Sequence, residues 1–201
     1  MRIALVAMSG VRVRNAELAR LGVTLPGFVE RGRVIASLPS LALLTLAGCT
    51  PDRHEVSYFE VADVRKRPAL GGFDLVAIST YTAQAYEAYD LADTLRDVGI
   101  PVVIGGLHAS MCPAEAAVHA DAVVAGEGEE AWPRLLEDLE QGVLRPLYRT
   151  RPVADLARSP IPRYDLLDPS RYNRLTVQTH RGCPHDCVFC GASVRYGPGY
   201  R

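Results

Sequence analysis

Short apolar runs alternate with amphipathic stretches along most of this chain. Residues 3–8 form an unbroken apolar run, the mark of a strand buried on both faces. A polar, glycine-bearing stretch over residues 9–33 follows and shows no period. Residues 38–47 are predicted as a helix that Gly48 should end. Residues 54–61 alternate as a strand does, and residues 74–79, "DLVAIS", are a buried run bounded by Gly71 and Gly72. Over 83–98 the period lengthens to that of a helix, with Ala88, Leu91, Ala92, Leu95 and Val98 on one face. Residues 101–106, "PVVIGG", are another strand, closed by two glycines. A short helix over 113–120, a short strand over 122–125 and a helix over 129–139 complete the pattern. Glu127 and Glu129 stand where acidic side chains favour a helix N-terminus.

Five strand–helix units within about 140 residues predict an α/β fold with a doubly wound parallel sheet of the flavodoxin-like kind, over residues 1–145. Such sheets bind ligands at the carboxyl ends of their strands. Periodicity then fades. Pro152, Pro160, Pro162 and Pro169 punctuate the next stretch, and residues 146–173 read as a connector. Residues 175–179, "LTVQT", look like a fresh strand opening a second domain over 174–201.

Composition narrows the partners. Of 201 residues 48% are hydrophobic and 22% charged, with a formal net charge of −1, so bulk charge argues for no nucleic-acid or membrane partner. Lys66 is the only lysine, a skew with no function attached to it. The longest apolar stretch, residues 34–48, is interrupted by Pro39 and falls short of the roughly 18 residues that span a bilayer. The N-terminus lacks a signal-peptide cleavage site, so a cytoplasmic chain is expected, in which thiols serve as ligands or catalysts rather than disulfides.

Three of the five cysteines crowd into "THRGCPHDCVFC", residues 179–190. The spacing is C-x3-C-x2-C. A cubane iron–sulfur cluster normally takes four thiolates. Three would leave one iron with an open position for a small molecule. Zinc is the competing reading: Cys183, Cys187 and Cys190 with His180 or His185 make a permitted Cys3His set. No second ligand pair lies further along the chain, which is how zinc motifs usually come.

"RGCPHDCVFC", following a predicted strand and with an aromatic before its last cysteine, resembles the cluster loop of the radical S-adenosylmethionine (SAM) superfamily. The resemblance implies that Cys183, Cys187 and Cys190 bind a [4Fe–4S] cluster whose open iron SAM chelates. One-electron reduction would then yield a 5′-deoxyadenosyl radical, with Phe189 near the adenine. "SLPSLALLTLAG" (residues 37–48), "VVIGGLHASMCPAEA" (102–116) and "ADAVVAGEGEEAWPRLLEDL" (120–139) resemble the N-terminal domain of cobalamin-binding radical SAM proteins. "RSPIPRYDLLD" (158–168) is similar to the connector that precedes their barrel.

By that resemblance Ser79, Thr80, Gly105, Gly106, Gly126 and Glu127 would line the cobalamin site. Independently, the glycine pair at a strand end would let a ligand approach the backbone closely; as the bland alternative, the glycines are turns and Glu127 favours its helix. The chain departs from the family in one place. Cobalamin domains that ligate cobalt through histidine carry D-x-H-x-x-G after the first strand, whereas "MSGVRVRNAELARLG" has neither aspartate nor histidine. No histidine ligand is expected from there.

The implied reaction is methylation of an unactivated carbon on a small molecule, the radical abstracting hydrogen and methylcobalamin delivering the methyl group. A one-electron reductant such as a flavodoxin or ferredoxin would be its partner. Radical cyclisation or rearrangement is the second enzymatic reading, and a non-enzymatic corrinoid- or zinc-binding module the third. Because the chain stops eleven residues after Cys190, it reads as a truncated radical SAM barrel, inactive alone. Elsewhere, His108 would serve as a hydrogen-bonding loop residue or face the ligand, His54 and His119 would be surface positions, Cys49 and Cys112 semi-buried, and Trp132 core.

Overall fold

The computed structural model describes residues 1–9, 38–150, 154–172, 175–185, 187–190 and 199–201. The aperiodic stretch after the first strand lies outside them from residue 10 on, as do residues 34–37, 151–153 and 173–174. Six strands form a single all-parallel sheet in the order β2-β1-β3-β4-β5-β6. They are β1 Arg2–Met8, β2 Glu55–Val61, β3 Leu75–Ser79, β4 Val102–Gly105, β5 Ala122–Ala125 and β6 Leu147–Arg149. Helices α1 Leu41–Cys49, α2 Ala85–Asp97, α3 Leu107–Met111, α4 Pro113–Ala116 and α5 Ala131–Glu140 connect and cover them. This is the doubly wound flavodoxin-like sheet that the alternation of runs predicted, with one further edge strand.

The near-continuous apolar strands make sense once both faces are covered. Along β1, Ile3, Leu5 and Ala7 pack into the core beneath α1 and α5, while Ala4, Val6 and Met8 pack into the core beneath α2. The same alternation runs through β3, where Leu75 and Ala77 oppose Val76 and Ile78, as a strand period of two requires. Each fully buried Leu or Ile contributes about 1.5–3 kcal/mol. Trp132, 0% exposed, anchors the α5 face, and its indole N–H donates to Thr50 Oγ1 at 2.8 Å.

Several boundaries move for physical reasons. Helix α1 starts three residues later than its apolar pattern, because Ser40 caps it through a 3.5 Å bond from Leu43 N–H. Gly48 does not end it. A Cβ there would lie 2.8 Å from Ile161 O and 3.1 Å from Pro160, so this glycine opens a helix face on which the connector lies. Val98 falls just past the end of α2 and is 70% exposed, unlike Ala88, Leu91, Ala92 and Leu95, which are buried. Helix α3 was hidden by the glycines before it. Strand β6 lies past residue 145, inside the segment read as connector, and pairs Tyr148 with Val124. Only Tyr148 of its three residues is buried, so it carries no alternation to read. Its hydroxyl donates to Asp138 at 2.8 Å.

The predicted strand over 175–179 does not form. Residues 175–180 have no regular secondary structure, since a strand is a property of a pair and no described segment pairs with them. His54, expected at the surface, is only 7% exposed. Its Nδ1 is 3.3 Å from the Met1 ammonium, and burial with that charge lowers its pKa. No described helix is long and apolar enough to cross a membrane.

Candidate functional site

The carboxyl ends of the central strands form one continuous edge. In the register, Ser79 at the end of β3 lies between Ala7 of β1 and Gly105 of β4. Gly106 follows with φ 94° and ψ −170°, a region essentially reserved to glycine. A Cβ on it would stand 2.8 Å from Thr80 O, 2.9 Å from Ser79 Oγ and 3.0 Å from Thr80 N. The absent side chain therefore lets the β4 loop lie against the end of β3. At Gly105 a Cβ would meet Val124 only at ordinary contact distances, 3.6 and 3.7 Å.

Thr80 is 1% exposed, and its hydroxyl donates to Tyr81 O at 3.0 Å. The next loop is tied to this one by Ser110, a residue with no role in the motif reading. Its hydroxyl donates to Gly106 O at 2.7 Å and accepts from Gly126 N–H at 3.1 Å. A serine four residues after Gly106 on a helix was the available signal, visible only once α3 is known to start there. Thus Ser79, Thr80, Gly105, Gly106 and Gly126 gather on one edge, with Glu127 beside them.

Glu127 turns its carboxylate toward the C-terminal part of the chain. Oε2 accepts from Ala154 N–H at 2.6 Å and Arg201 Nη1 at 3.2 Å; Oε1 accepts from Arg201 Nη2 at 2.7 Å and Arg181 Nη1 at 3.2 Å. Its side chain is only 5% exposed. Burial alone would raise its pKa, but the bonds from Arg201, Ala154 and Arg181 outweigh that and hold it below the usual carboxylate range. Arg181 also meets Glu129. Both arginines escaped the motif reading, because partners more than 50 positions away leave no local pattern.

The cysteine loop is rooted by these arginines. Arg181 N–H donates to Arg201 O at 3.0 Å and Arg201 N–H to Arg181 O at 2.9 Å, and Gly199 N–H donates to Cys183 O at 3.2 Å. Within the loop Cys190 N–H donates to Cys187 O at 2.9 Å. None of the three cysteines is in a disulfide, Cys187 is exposed, and Phe189 is 89% exposed. His180 bonds Thr179 Oγ1 and meets the Tyr200 ring edge-on, and His185 is exposed.

Among the described residues, the three metal-ligand atoms that come within 4.8 Å of one another belong to His108, Cys112 and Glu115, so the loop sulfurs are spread wider. Tetrahedral zinc with Zn–S of about 2.3 Å needs sulfurs about 3.8 Å apart. As they stand, the three loop sulfurs are not gathered around a single tetrahedral ion.

His108 is buried and hydrogen-bonded, its Nδ1 3.2 Å from Thr82 Oγ1 and its Nε2 3.0 Å from Tyr89 OH and 3.3 Å from Glu115. His119 stacks on Tyr89 with centroids 4.3 Å apart and lies 2.8 Å from Asp93, so it is half-buried rather than a surface residue. Cys49 is half-buried, and burial pushes its thiol up to about 11.

Comparison with known proteins agrees with this geometry. The chain is 33% identical over 168 residues to bacteriochlorophyllide d C-8(2)-methyltransferase of Chlorobaculum tepidum, covering 80% of this chain and 37% of that protein. It is 29% identical over 184 residues to the bacteriochlorophyllide d C-12(1)-methyltransferase of the same organism, 86% of this chain and 39% of that one. With the hopanoid C-2 methylase of Rhodopseudomonas palustris it shares 30% identity over 170 residues, 82% and 32% of the two chains. The chain thus spans about a third of the length of the curated relatives it matches. The family model for the B12 binding domain matches residues 33–136, which take in α1 through most of α5 and the strand ends just described, and the chain belongs to that family.

Proposed function

We propose that this chain is the N-terminal part of a cobalamin-dependent radical SAM methylase that acts on an unactivated carbon of a small molecule. In this reading residues 1–145 are the cobalamin-binding domain, 146–173 the connector, and 174–201 the start of the radical SAM domain. The observation that carries it is a C-x3-C-x2-C loop rooted on the carboxyl edge of a B12-binding sheet, through Glu127 and Glu129. The relatives' names, methyltransferases and a methylase, favour methyl transfer over cyclisation or rearrangement.

Cys183, Cys187 and Cys190 would hold a [4Fe–4S] cluster, and exposed Phe189 would stack near SAM. Ser79, Gly105, Gly106 and Gly126 would present backbone and one hydroxyl to cobalamin; Thr80 and Glu127 would shape that edge through their internal bonds. When bound, the cluster would supply one-electron chemistry toward SAM, and cobalamin would supply methyl-carrying chemistry. The chain's own residues would hold and orient these groups. A one-electron reductant such as a flavodoxin or ferredoxin completes the system.

Anaerobic reconstitution with iron and sulfide, followed by low-temperature EPR with and without SAM, tests the reading. A reduced cubane signal that shifts with SAM and disappears in Cys187→Ala is expected. Stoichiometric zinc without a cluster would overturn it in favour of a binding module.

A further inference from the structure

Arg181 and Arg201 exchange both backbone hydrogen bonds, which makes them directly opposed residues of an antiparallel pair. Side chains so placed share one face, and like charges directly opposite are destabilising. Here the two guanidinium groups converge on the same carboxylate: Arg201 reaches Glu127 at 2.7 Å and Arg181 reaches it at 3.2 Å, with Glu129 meeting Arg181 as well. Two anions face two cations, and the group is neutral. Their side chains are 5% (Glu127), 11% (Glu129), 13% (Arg181) and 24% (Arg201) exposed, so solvent screens them little.

Both arginines sit at the roots of the cysteine loop, Arg181 two residues before Cys183 and Arg201 eleven after Cys190. Both acids sit immediately after β5, at the edge where the B12-binding sheet presents its strand ends. Gly128, between the acids, packs closely on α1: a Cβ would lie 2.7 Å from Leu46 Cδ2, which would have to give way. The acidic turn therefore lies close against α1, and the loop is fastened to it.

We propose that Glu127, Glu129, Arg181 and Arg201 form a charge clamp that closes the base of the cysteine loop and fixes it on the cobalamin-binding edge. Arg181 is its positioning residue. It acts by setting where Cys183 stands relative to the sheet. This inference rests on the functional reading above only for what the loop holds; the clamp itself is a property of the chain.

Hydrogen exchange of the full chain without iron tests the clamp directly. The amides of Arg181 and Arg201 are expected to exchange at least about tenfold faster in Arg181→Gln than in the wild type, because removing one member of a buried ion group leaves a charge uncompensated. Amides of β3 should be unchanged, which shows that the sheet is still folded. Arg181→Lys, which keeps the charge, should recover part of the protection, as a merely volume-filling residue would not require.

A second arm reads the consequence. In reconstituted protein, a chelator should strip iron from Arg181→Gln at least about tenfold faster than from the wild type, with the three cysteines intact. Equal exchange of both arginine amides in wild type and Arg181→Gln would overturn the clamp. Equal iron loss would overturn its positioning role. Should the wild type take up no cluster, the functional reading fails while the exchange arm still decides the clamp.

Discussion

Replacing Gly106 with alanine is the sharpest test of how the strand edge is built. The residue has φ 94° and ψ −170°, where a non-glycine residue costs roughly 1–3 kcal/mol in backbone strain. Its new Cβ would also lie 2.8 Å from Thr80 O and 3.0 Å from Thr80 N, atoms fixed by the end of β3. Overpacking of that kind costs about 1–3 kcal/mol more. Taking about 3 kcal/mol in all and an m-value of about 2 kcal/mol/M, the urea midpoint should fall by about 1.5 M with an unchanged slope.

Two neighbours separate the contributions. Gly99→Ala, at φ 79° with nothing within 4 Å, should cost the strain alone, about 1 kcal/mol. Gly105→Ala has ordinary contacts and should move stability by less than about 0.5 kcal/mol. A Gly106→Ala midpoint that matches Gly105→Ala would refute the close packing of the β4 loop on β3. One that matches Gly99→Ala would leave only the strain.

Other outcomes follow from the same contacts. Thr50→Val removes the acceptor of the buried Trp132 indole and should cost about 1–3 kcal/mol, and a double-mutant cycle with Trp132→Phe should show coupling above about 0.5 kcal/mol in urea unfolding. Because the folded Glu127 pKa lies below its ordinary 4.5, its charge stabilises the fold above that value, and the contribution is lost as pH falls through the depressed one. The stability gap between wild type and Glu127→Gln should accordingly close as urea titrations are taken from about pH 6 to about pH 3. Gly48→Ala, which in an open helix would gain about 1 kcal/mol, should gain nothing here. Instead it should expose the connector to faster proteolysis between residues 154 and 172, with α1 intact.

Strands β1, β3, β4 and β5 were legible because burial on both faces leaves an apolar signature that needs no partner to be recognised. Strand β6 was not, since three residues with one buried tyrosine resemble any loop. Glycine carried meanings that sequence cannot separate: Gly48 read as a stop and is a bare helix face, whereas Gly106 read as an opening for a ligand and also lets the chain's own strand pack against it. The cysteine motif stood out by its spacing alone. Glu127 was noticed for its place at a helix, but its partners Arg181 and Arg201 lie 54 and 74 positions away. Long-range charge pairing leaves no period.

The connector's contacts bear on where this molecule can be divided. Ala154 is bonded to Glu127, Arg163 N–H to Leu44 O at 3.0 Å on α1, and Tyr172 OH to Glu60 at 3.0 Å on β2. From β5 to β2 is four strand spacings, about 19 Å, so the segment is lashed across the width of the sheet. A domain cut at the compositional boundary near residue 145 would strip away β6 and expose Gly48 and Glu127 together. In a chimera, the heritable unit is therefore sheet plus strap, and exchanging the sheet alone between relatives would carry half of an interface.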